Sequence, residues 1–259
     1  MGKARLFTVA LAATASIVAL PLMAAAITFS ASDATRSASV NFEVIGGELV
    51  VTLTNTSPID AGVTTDILTA VFFTAKGDPL FTKTSADLAA GSTTTSYPSG
   101  GAGSGTNVSG VGSEWAYLNN PGVFGQNEGL SSSGLGVFGA NDRFDTVTNL
   151  EGPDSPDGLQ YGITSAGDDP ATGNGDIQNS TLIKNSVVFH LGLNGNTFDP
   201  YTDITDVRFL YGTALTDTLL TGGCTEGCGT TQVPQPGTLV LVGTSFLGLL
   251  GWAGGRRRR

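Results

Sequence analysis

Histidine, cysteine and basic residues are scarce in this 259-residue chain, and each scarcity removes a class of function. His190 is the only histidine, so a Ser-His-Asp triad would have to recruit it from a strand-like segment. Cys224 and Cys228 are the only cysteines, which leaves a thiolate metal site short of ligands. Phosphate-binding loops, dinucleotide fingerprints and redox motifs are also missing. The sequence therefore names no catalytic residue, and we expect a protein without enzymatic activity and without a cofactor other than the calcium considered below.

Positive charge is concentrated at the two ends of the chain. Lys3, Arg5 and Arg256–Arg259 make up six of the twelve basic residues, whereas all twenty-two acidic residues lie between Asp33 and Glu226. Without its ends the chain therefore carries a net charge of −16. Such a charge repels nucleic acid and anionic lipid, and it favours solubility. We expect no nucleic-acid partner.

The first 26 residues have the organisation of a secretory signal peptide. Lys3 and Arg5 form a basic segment, Leu6–Leu22 is apolar, and three alanines follow as a small-residue cleavage site. We expect signal peptidase to cut after Ala26, with Ala24 and Ala26 at the positions that require small side chains. The alternative is an uncleaved N-terminal membrane anchor, against which the alanines and a proline in the apolar segment argue.

Three features follow one another at the other end of the chain. They are a proline box (Val233, Pro234, Gln235, Pro236, Gly237), an uncharged apolar run over residues 237–255, and a final cluster of Arg256, Arg257, Arg258 and Arg259. At about 1.5 Å per residue, a helix of this length approaches the roughly 30 Å of a bilayer core, so we expect it to span the membrane. The arginines favour the cytoplasmic side, which places the body of the protein outside the inner membrane.

This tail resembles the PEP-CTERM sorting signal of bacterial exosortase substrates, which has Val-Pro-Glu-Pro, a hydrophobic helix and an arginine-rich end. Gln235 stands where the family has its glutamate, whereas the flanking Pro234 and Pro236 are present. The resemblance implies that an exosortase, a membrane-embedded cysteine transpeptidase-like enzyme, cuts in or near the box. The body would then be released or transferred to the cell surface. The alternative is an ordinary single-pass anchor with positive-inside flanks.

The body, residues 27–222, has the hydrophobic pattern of β-strands. Alternating residues on both sides of Gly46-Gly47 predict a hairpin. Further strands are expected over Ile67–Phe73, Leu159–Thr164, Ser186–Leu193 and Asp206–Tyr211, and one helical turn over Thr84–Ala90. The pattern predicts an all-β fold, an antiparallel β-sandwich of jelly-roll type. In its strand His190 has the parity of Val188, which predicts that it faces solvent.

Two segments of the body and one segment after it have a distinct composition. Residues 91–112 are almost wholly Gly, Ser and Thr and predict a flexible surface loop. Trp115 and Tyr117 follow it, and they either fill the core or form an aromatic platform for a ligand. Residues 223–232 are interpreted as a linker in which Cys224 and Cys228 form a disulfide in the oxidising environment outside the cell.

Acidic and amide side chains concentrate in four segments, residues 142–145, 154–157, 168–176 and 199–206. Calcium takes six to eight oxygen ligands, which glycine-rich acidic loops can supply. The segment that suits calcium best offers Asp168, Asp169, Asn174 and Asp176. The alternative is that these residues are turn formers, because Asp and Asn side chains bond their own backbone.

The body is also similar to XDD-type exosortase-dependent surface proteins. The similarity is carried by Ser39–Asn55, Asp66–Phe73, Asp157–Gly162, Leu182–Leu191 and Phe209–Thr213. It implies an exported β-rich protein of unassigned biochemistry in bacteria that make exopolysaccharide.

We therefore expect a non-enzymatic protein at the cell surface or in the extracellular biofilm matrix. Its partners would be signal peptidase, exosortase, transiently the inner membrane, and exopolysaccharide. The alternative is a carbohydrate-binding module or carbohydrate-active enzyme with calcium-supported acidic loops, using Trp115 and Tyr117.

Overall fold

The computed structural model describes residues 26–103, 110–138 and 158–229. Several sequence predictions lie outside these residues. They are the signal peptide up to residue 25, the centre of the glycine-rich loop at 104–109, the acidic segments 142–145 and 154–157, and the sorting tail 233–259.

The described residues form strands joined by turns, with very little helix. The strands are β1 (Ala26–Ser32), β2 (Ser37–Ile45), β3 (Glu48–Asn55), β4 (Leu68–Ala75), β5 (Thr82–Leu88), β6 (Thr93–Ser96), β7 (Ala116–Asn119), β8 (Glu128–Ser131), β9 (Ile163–Thr164), β10 (Thr181–Lys184), β11 (Ser186–Gly192), β12 (Ile204–Tyr211), β13 (Thr218–Thr221) and β14 (Gly223–Glu226). The one α-helix among them is α1 (Pro200–Asp203), and single 3₁₀ turns occupy Thr64–Asp66, Gly112–Glu114 and Pro170–Thr172. No helix in this part of the chain has the length and apolar character needed to cross a membrane.

These strands form two sheets. The first has the order β14-β1-β2-β3-β11-β5, and the second has the order β13-β12-β4-β9-β10-β6, with β8 also paired to β4 and β7 paired to β8. All described pairs are antiparallel except β9 with β10. The hairpin expected at Gly46-Gly47 is confirmed as β2 and β3, because both glycines adopt the positive φ that a tight turn requires. The prediction of an all-β fold built from packed sheets is confirmed.

Alternation along the strands builds one core between the two sheets. In β2 and β3 every second residue is buried, among them Phe42 and Val51. From the second sheet Phe73 and Phe209 enter the same cluster, and the rings of Phe42 and Phe73 lie 4.9 Å apart. Burial of such apolar side chains is the main favourable contribution to folding.

Strand β4 is buried on both faces, which explains its uninterrupted apolar sequence. One face packs in the core between the sheets. The other face presents Ala70 and Phe72 to a second cluster that contains Ala116, Phe138 and Leu210. The β7–β8 hairpin therefore extends the second sheet beside β4, and the segment after β8 covers this outer face with Leu135 and Phe138.

Three local predictions are wrong. Part of the loop expected over residues 91–112 is strand β6, which pairs with β10 along its whole length. The segment Thr84–Ala90 lies largely in β5 rather than in a helical turn, because Ala86 and Asp87 pair with β11. Only Ile163–Thr164 of the expected strand Leu159–Thr164 is extended. Its first part is a turn in which Tyr161 has φ 59° and Gly162 N donates to Leu159 O at 3.1 Å. This turn sends Leu159 and Tyr161 into different apolar clusters.

Candidate functional site

The first and last described strands pair with each other. β1 and β14 are antiparallel, with Thr28 opposite Glu226 and Ser30 opposite Gly223. The chain in β14 therefore runs back toward Ala26, where β1 begins. We call this side of the sandwich the terminal end, defined by Ala26, Glu226 and the turn at 46–47. The predicted signal peptide and the predicted sorting tail both join the body here.

The chain ends make direct contacts at the terminal end. Ala26 N donates to the Tyr201 hydroxyl at 3.2 Å. Gly227 packs so closely that a Cβ there would lie 2.6 Å from Ala26 O and 2.6 Å from the Tyr201 ring, and its φ is 76°. Glycine is therefore required at position 227. Ala26 itself belongs to β1, so the expected cleavage after Ala26 would remove the first residue of that strand and its bond to Tyr201. Ala24 lies outside the described residues.

The disulfide predicted between Cys224 and Cys228 is confirmed, with Cα atoms 5.8 Å apart. Its surroundings differ from the expected linker. The first four residues of segment 223–232 form β14, so the sheet extends into the segment and the disulfide closes the turn at the end of that strand. The sequence did not indicate this pairing, because Gly223–Glu226 lacks apolar alternation.

The proposed aromatic platform of Trp115 and Tyr117 is wrong, because both side chains are in the core. Trp115 is fully buried and its ring lies 4.9 Å from that of Phe189, and Tyr117 is 5% exposed. Neither ring offers a face to a ligand. The alternative, that these aromatics fill the core, is the one that the structure supports.

The side chains proposed for calcium all make hydrogen bonds within the protein, Asp168 to a different loop and the other three within their own loop. Asp168 Oδ1 accepts from Ala61 N at 2.6 Å, and Asp169 caps the turn at Ala171 N at 3.0 Å. Asn174 Oδ1 accepts from Asp176 N at 2.9 Å, and its amide donates to the Asp176 carboxylate at 3.3 Å. Within the described ranges no three acidic, histidine or cysteine side chains converge as metal ligands would. The contacts of Asp169, Asn174 and Asp176 are those of turn formers, whereas Asp168 joins two loops.

His190 lies on the outer face of the first sheet, as its parity predicted. Its Nδ1 is 3.0 Å from Glu48 Oε2, across the pair of strands β3 and β11. The pair is about one-third exposed on both sides, so it is an ordinary surface interaction.

A buried polar network at the terminal end was not predicted. Glu128 is fully buried, its Oε2 accepts from the Tyr117 hydroxyl at 2.7 Å, and its Oε1 accepts from the Asn119 amide at 3.1 Å. The Tyr117 hydroxyl also accepts from Phe81 N at 3.3 Å. Burial raises the pKa of Glu128 to about 8. Glu128 stands between Asn127 and Gly129, a sequence that predicts an exposed loop residue. Its burial is seen only in the three-dimensional packing.

Beside this network Asp78 is surrounded by amides. Its carboxylate accepts from Asn119 at 3.2 Å, Asn120 at 3.0 Å and Asn127 at 3.2 Å. These hydrogen bonds lower the pKa of Asp78 below its usual value, and the bond from Asn120 has the largest effect. Asn127 is held by both its side-chain atoms, which bond Ala75 O and Ala75 N at 2.8 Å. The network joins the loop after β4 to the β7–β8 hairpin, and it is a structural link.

An open groove lies at the opposite end of the sandwich, which we call the distal end. Its volume is about 330 Å³, and it is lined by residues 54–60, 165–167 and Asn185. Thr54 and Asn55 are the last residues of β3, and the other lining residues follow β3, follow β9 or precede β11. Strand β3 runs from the terminal end to the groove, and eight residues at about 3.3 Å each separate the two ends by roughly 25 Å.

The chain was compared with protein-family models, curated proteins and solved structures. No protein-family model matches the chain, and no significant match was found among the curated proteins or the solved structures.

Proposed function

We propose that this protein is an exported, non-enzymatic β-sandwich that is processed at both ends and displayed at the cell surface or in the extracellular matrix. Signal peptidase would remove residues 1–26, and an exosortase would act at the proline box. The proposal includes the N-terminal signal helix, the membrane-spanning helix at 237–255, a jelly-roll-like connection of the strands, and exopolysaccharide as the surrounding material.

The observation that carries the proposal is the pairing of β1 with β14. Because both termini leave the body at the terminal end, two membrane segments can hold the precursor at the same time without deforming the sandwich. Val233 follows Glu226 by seven residues, which span at most roughly 25 Å. The folded body can therefore stay close to the membrane while its proline box is at the bilayer surface.

Three further features support export and display. The body carries a strong negative charge, which favours solubility outside the cell. The disulfide is of a kind that persists in oxidising compartments. The pairing also means that the first sheet is complete only after the chain has been exported as far as residue 226. β14 can therefore form only when nearly the whole body is outside the inner membrane.

The test is fractionation of the full-length chain in hosts with and without the exosortase, using a tag placed after Ala26. We expect the tagged body at the surface or in the medium when the exosortase is present, and in the inner membrane when it is absent. A matched variant, Pro234→Ala with Pro236→Ala, should stay in the membrane in both hosts. If the wild-type chain stays in the membrane in both hosts, the tail is a plain anchor and the proposal is wrong.

A further inference from the structure

The groove at the distal end carries polar groups that the fold itself does not use. The side-chain hydroxyls of Thr54 and Ser165 and the amide of Asn185 line it, and they make no hydrogen bond to the described residues. Asp60 lines it with an exposed carboxylate, of which one oxygen accepts from Asp169 N at 3.0 Å. The groove therefore offers hydroxyl, amide and carboxylate groups to a ligand.

Part of the groove wall is apolar. Ile59 is 43% exposed, which makes it one of few large apolar side chains that the described residues leave in solvent, and Pro58 precedes it. Pyranose rings present hydroxyls at their rim and C–H groups on their faces. A wall with both kinds of group suits such a ring, because polar groups fix its orientation and apolar groups cover its face.

Hydrogen bonds of buried and neighbouring side chains hold the wall of the groove in place. Asn55 is buried, its amide donates to Ile163 O at 2.7 Å, and its Oδ1 accepts from Ser57 N at 3.0 Å. The two loops that form the sides are joined by Asp60 with Asp169 N and by Asp168 with Ala61 N. A groove that is already ordered loses little conformational entropy when it binds.

Asn185 adopts an unfavourable backbone conformation at the groove. Its φ is 89°, in the region that glycine prefers. Its N–H donates to Thr164 O at 2.9 Å, and its carbonyl accepts from Asn55 N at 3.1 Å. Glycine would make the same two backbone bonds without this strain, so these bonds do not require the Asn185 side chain.

The charge around the groove selects against anionic ligands. Asp60 lines it, and Asp168 and Asp169 lie beside it. Lys184, which precedes the lining residue Asn185, donates from its Nζ to Asp168 O at 2.6 Å. Like charges would repel a uronic acid or a phosphate, whereas an uncharged sugar can donate its hydroxyls to the carboxylate.

We propose that the distal groove binds the end or a short stretch of a neutral oligosaccharide, through Asp60, Asn185 and the flanking hydroxyls. This site differs from the aromatic platform that the structure excludes. It also lies opposite the terminal end, so it would face away from the attachment point of a displayed protein. Binding does not depend on sorting, and either proposal can fail without the other.

The test uses the purified full-length chain in a detergent without a sugar headgroup and saturation-transfer NMR with three probes. Cellotetraose and N-acetylchitotetraose are the neutral probes, and trigalacturonate is the anionic one. We expect both neutral probes to bind with a Kd of about 1 mM, and trigalacturonate to give no signal. Absence of binding by both neutral probes, or equal binding by the anionic probe, would overturn the proposal.

Three variants assign the binding to the groove. Asn185→Gly should weaken binding about tenfold while Tm is kept or raised, because glycine relieves the backbone strain. Asp60→Asn should also weaken binding, although its Oδ1 can still accept from Asp169 N. Glu48→Gln is the control, because it removes one acidic side chain at the start of β3, far from the groove at the end of that strand. This variant should bind the probes as the wild type does. Wild-type affinity in both groove variants would overturn the proposal.

Discussion

The Tyr117 hydroxyl donates to Glu128 Oε2 across 2.7 Å in a part of the protein where the glutamate is fully buried. Burial is the main cause that raises the pKa of Glu128 to about 8, and the Asp78 carboxylate adds to it. Burial and the neighbouring Glu128 also raise the pKa of Tyr117. The pair thus links β7 to β8 and makes the stability of the fold dependent on pH.

We predict that the free energy of unfolding falls as pH rises from about 4.5 to about 8. In this window the folded chain holds a proton on Glu128 that the unfolded chain has released, so each increase in pH favours the unfolded state. The loss attributable to this group is a few kcal/mol, on the order of the shift at about 1.4 kcal/mol per pH unit. Denaturant unfolding of the full-length chain at several pH values measures it.

Glu128→Gln provides the control for the pH prediction. The amide keeps an acceptor for Tyr117 but does not titrate, so the variant should lose most of the slope between these pH values. An unchanged slope would assign the pH dependence to another group, of which Asp168 is the first candidate because burial raises its pKa too.

We predict different effects of deleting two buried tyrosine hydroxyls. Tyr117→Phe leaves Glu128 Oε2 and Phe81 N without this partner, and it should lower the free energy of unfolding by about 1–3 kcal/mol. The Tyr161 hydroxyl is buried without a partner, so Tyr161→Phe should be neutral or stabilising. Thermal and denaturant unfolding of both variants is the measurement. Equal losses would show that the network around Glu128 contributes nothing specific.

Removal of the disulfide should loosen one edge of the first sheet. Because the bridge closes a loop of only five residues, Cys224→Ser with Cys228→Ser should cost about 2 kcal/mol. Hydrogen exchange should increase in β1 and β14 and stay unchanged in β2 and β3. A uniform increase through both sheets would contradict a role limited to this edge.

The loop at residues 168–176 should not respond to calcium. Asp169 and Asp176 already contact groups in their own turns, so a cation would have to displace them. We expect Tm to change by the same amount on adding calcium in the wild type and in Asp176→Asn. A calcium-dependent rise in Tm that Asp176→Asn abolishes would contradict this prediction and support calcium binding by the loop.

The sequence predicts the parts of this fold that follow from alternation along single strands. Val40, Phe42 and Val44 on one side of the 46–47 turn and Leu49–Leu53 on the other specify a hairpin, and the structure contains it. The parity of His190 correctly places it on the outer face. The short loop between Cys224 and Cys228 makes their disulfide predictable in an oxidising compartment.

Features that depend on contacts between distant strands are not visible in the sequence. β5 is polar and reads as a helical turn, but its pairing with β11 makes it a strand. Trp115 is buried against Phe189 of the other sheet, and Glu128 is buried in β8 beside β4; nothing in their neighbouring residues indicates either contact. The distal groove likewise brings together residues more than a hundred positions apart, Asp60 and Asn185 among them.

The measurement that tests the central claim most directly is the intact mass of the protein recovered from a host that has the exosortase. The account predicts a chain that lacks residues 1–26 and ends in or near the box at Val233–Gly237, with the Cys224–Cys228 bridge intact. A mass that still includes Arg259 would contradict processing of the tail, and with it the proposal that this body is delivered to the surface by sorting.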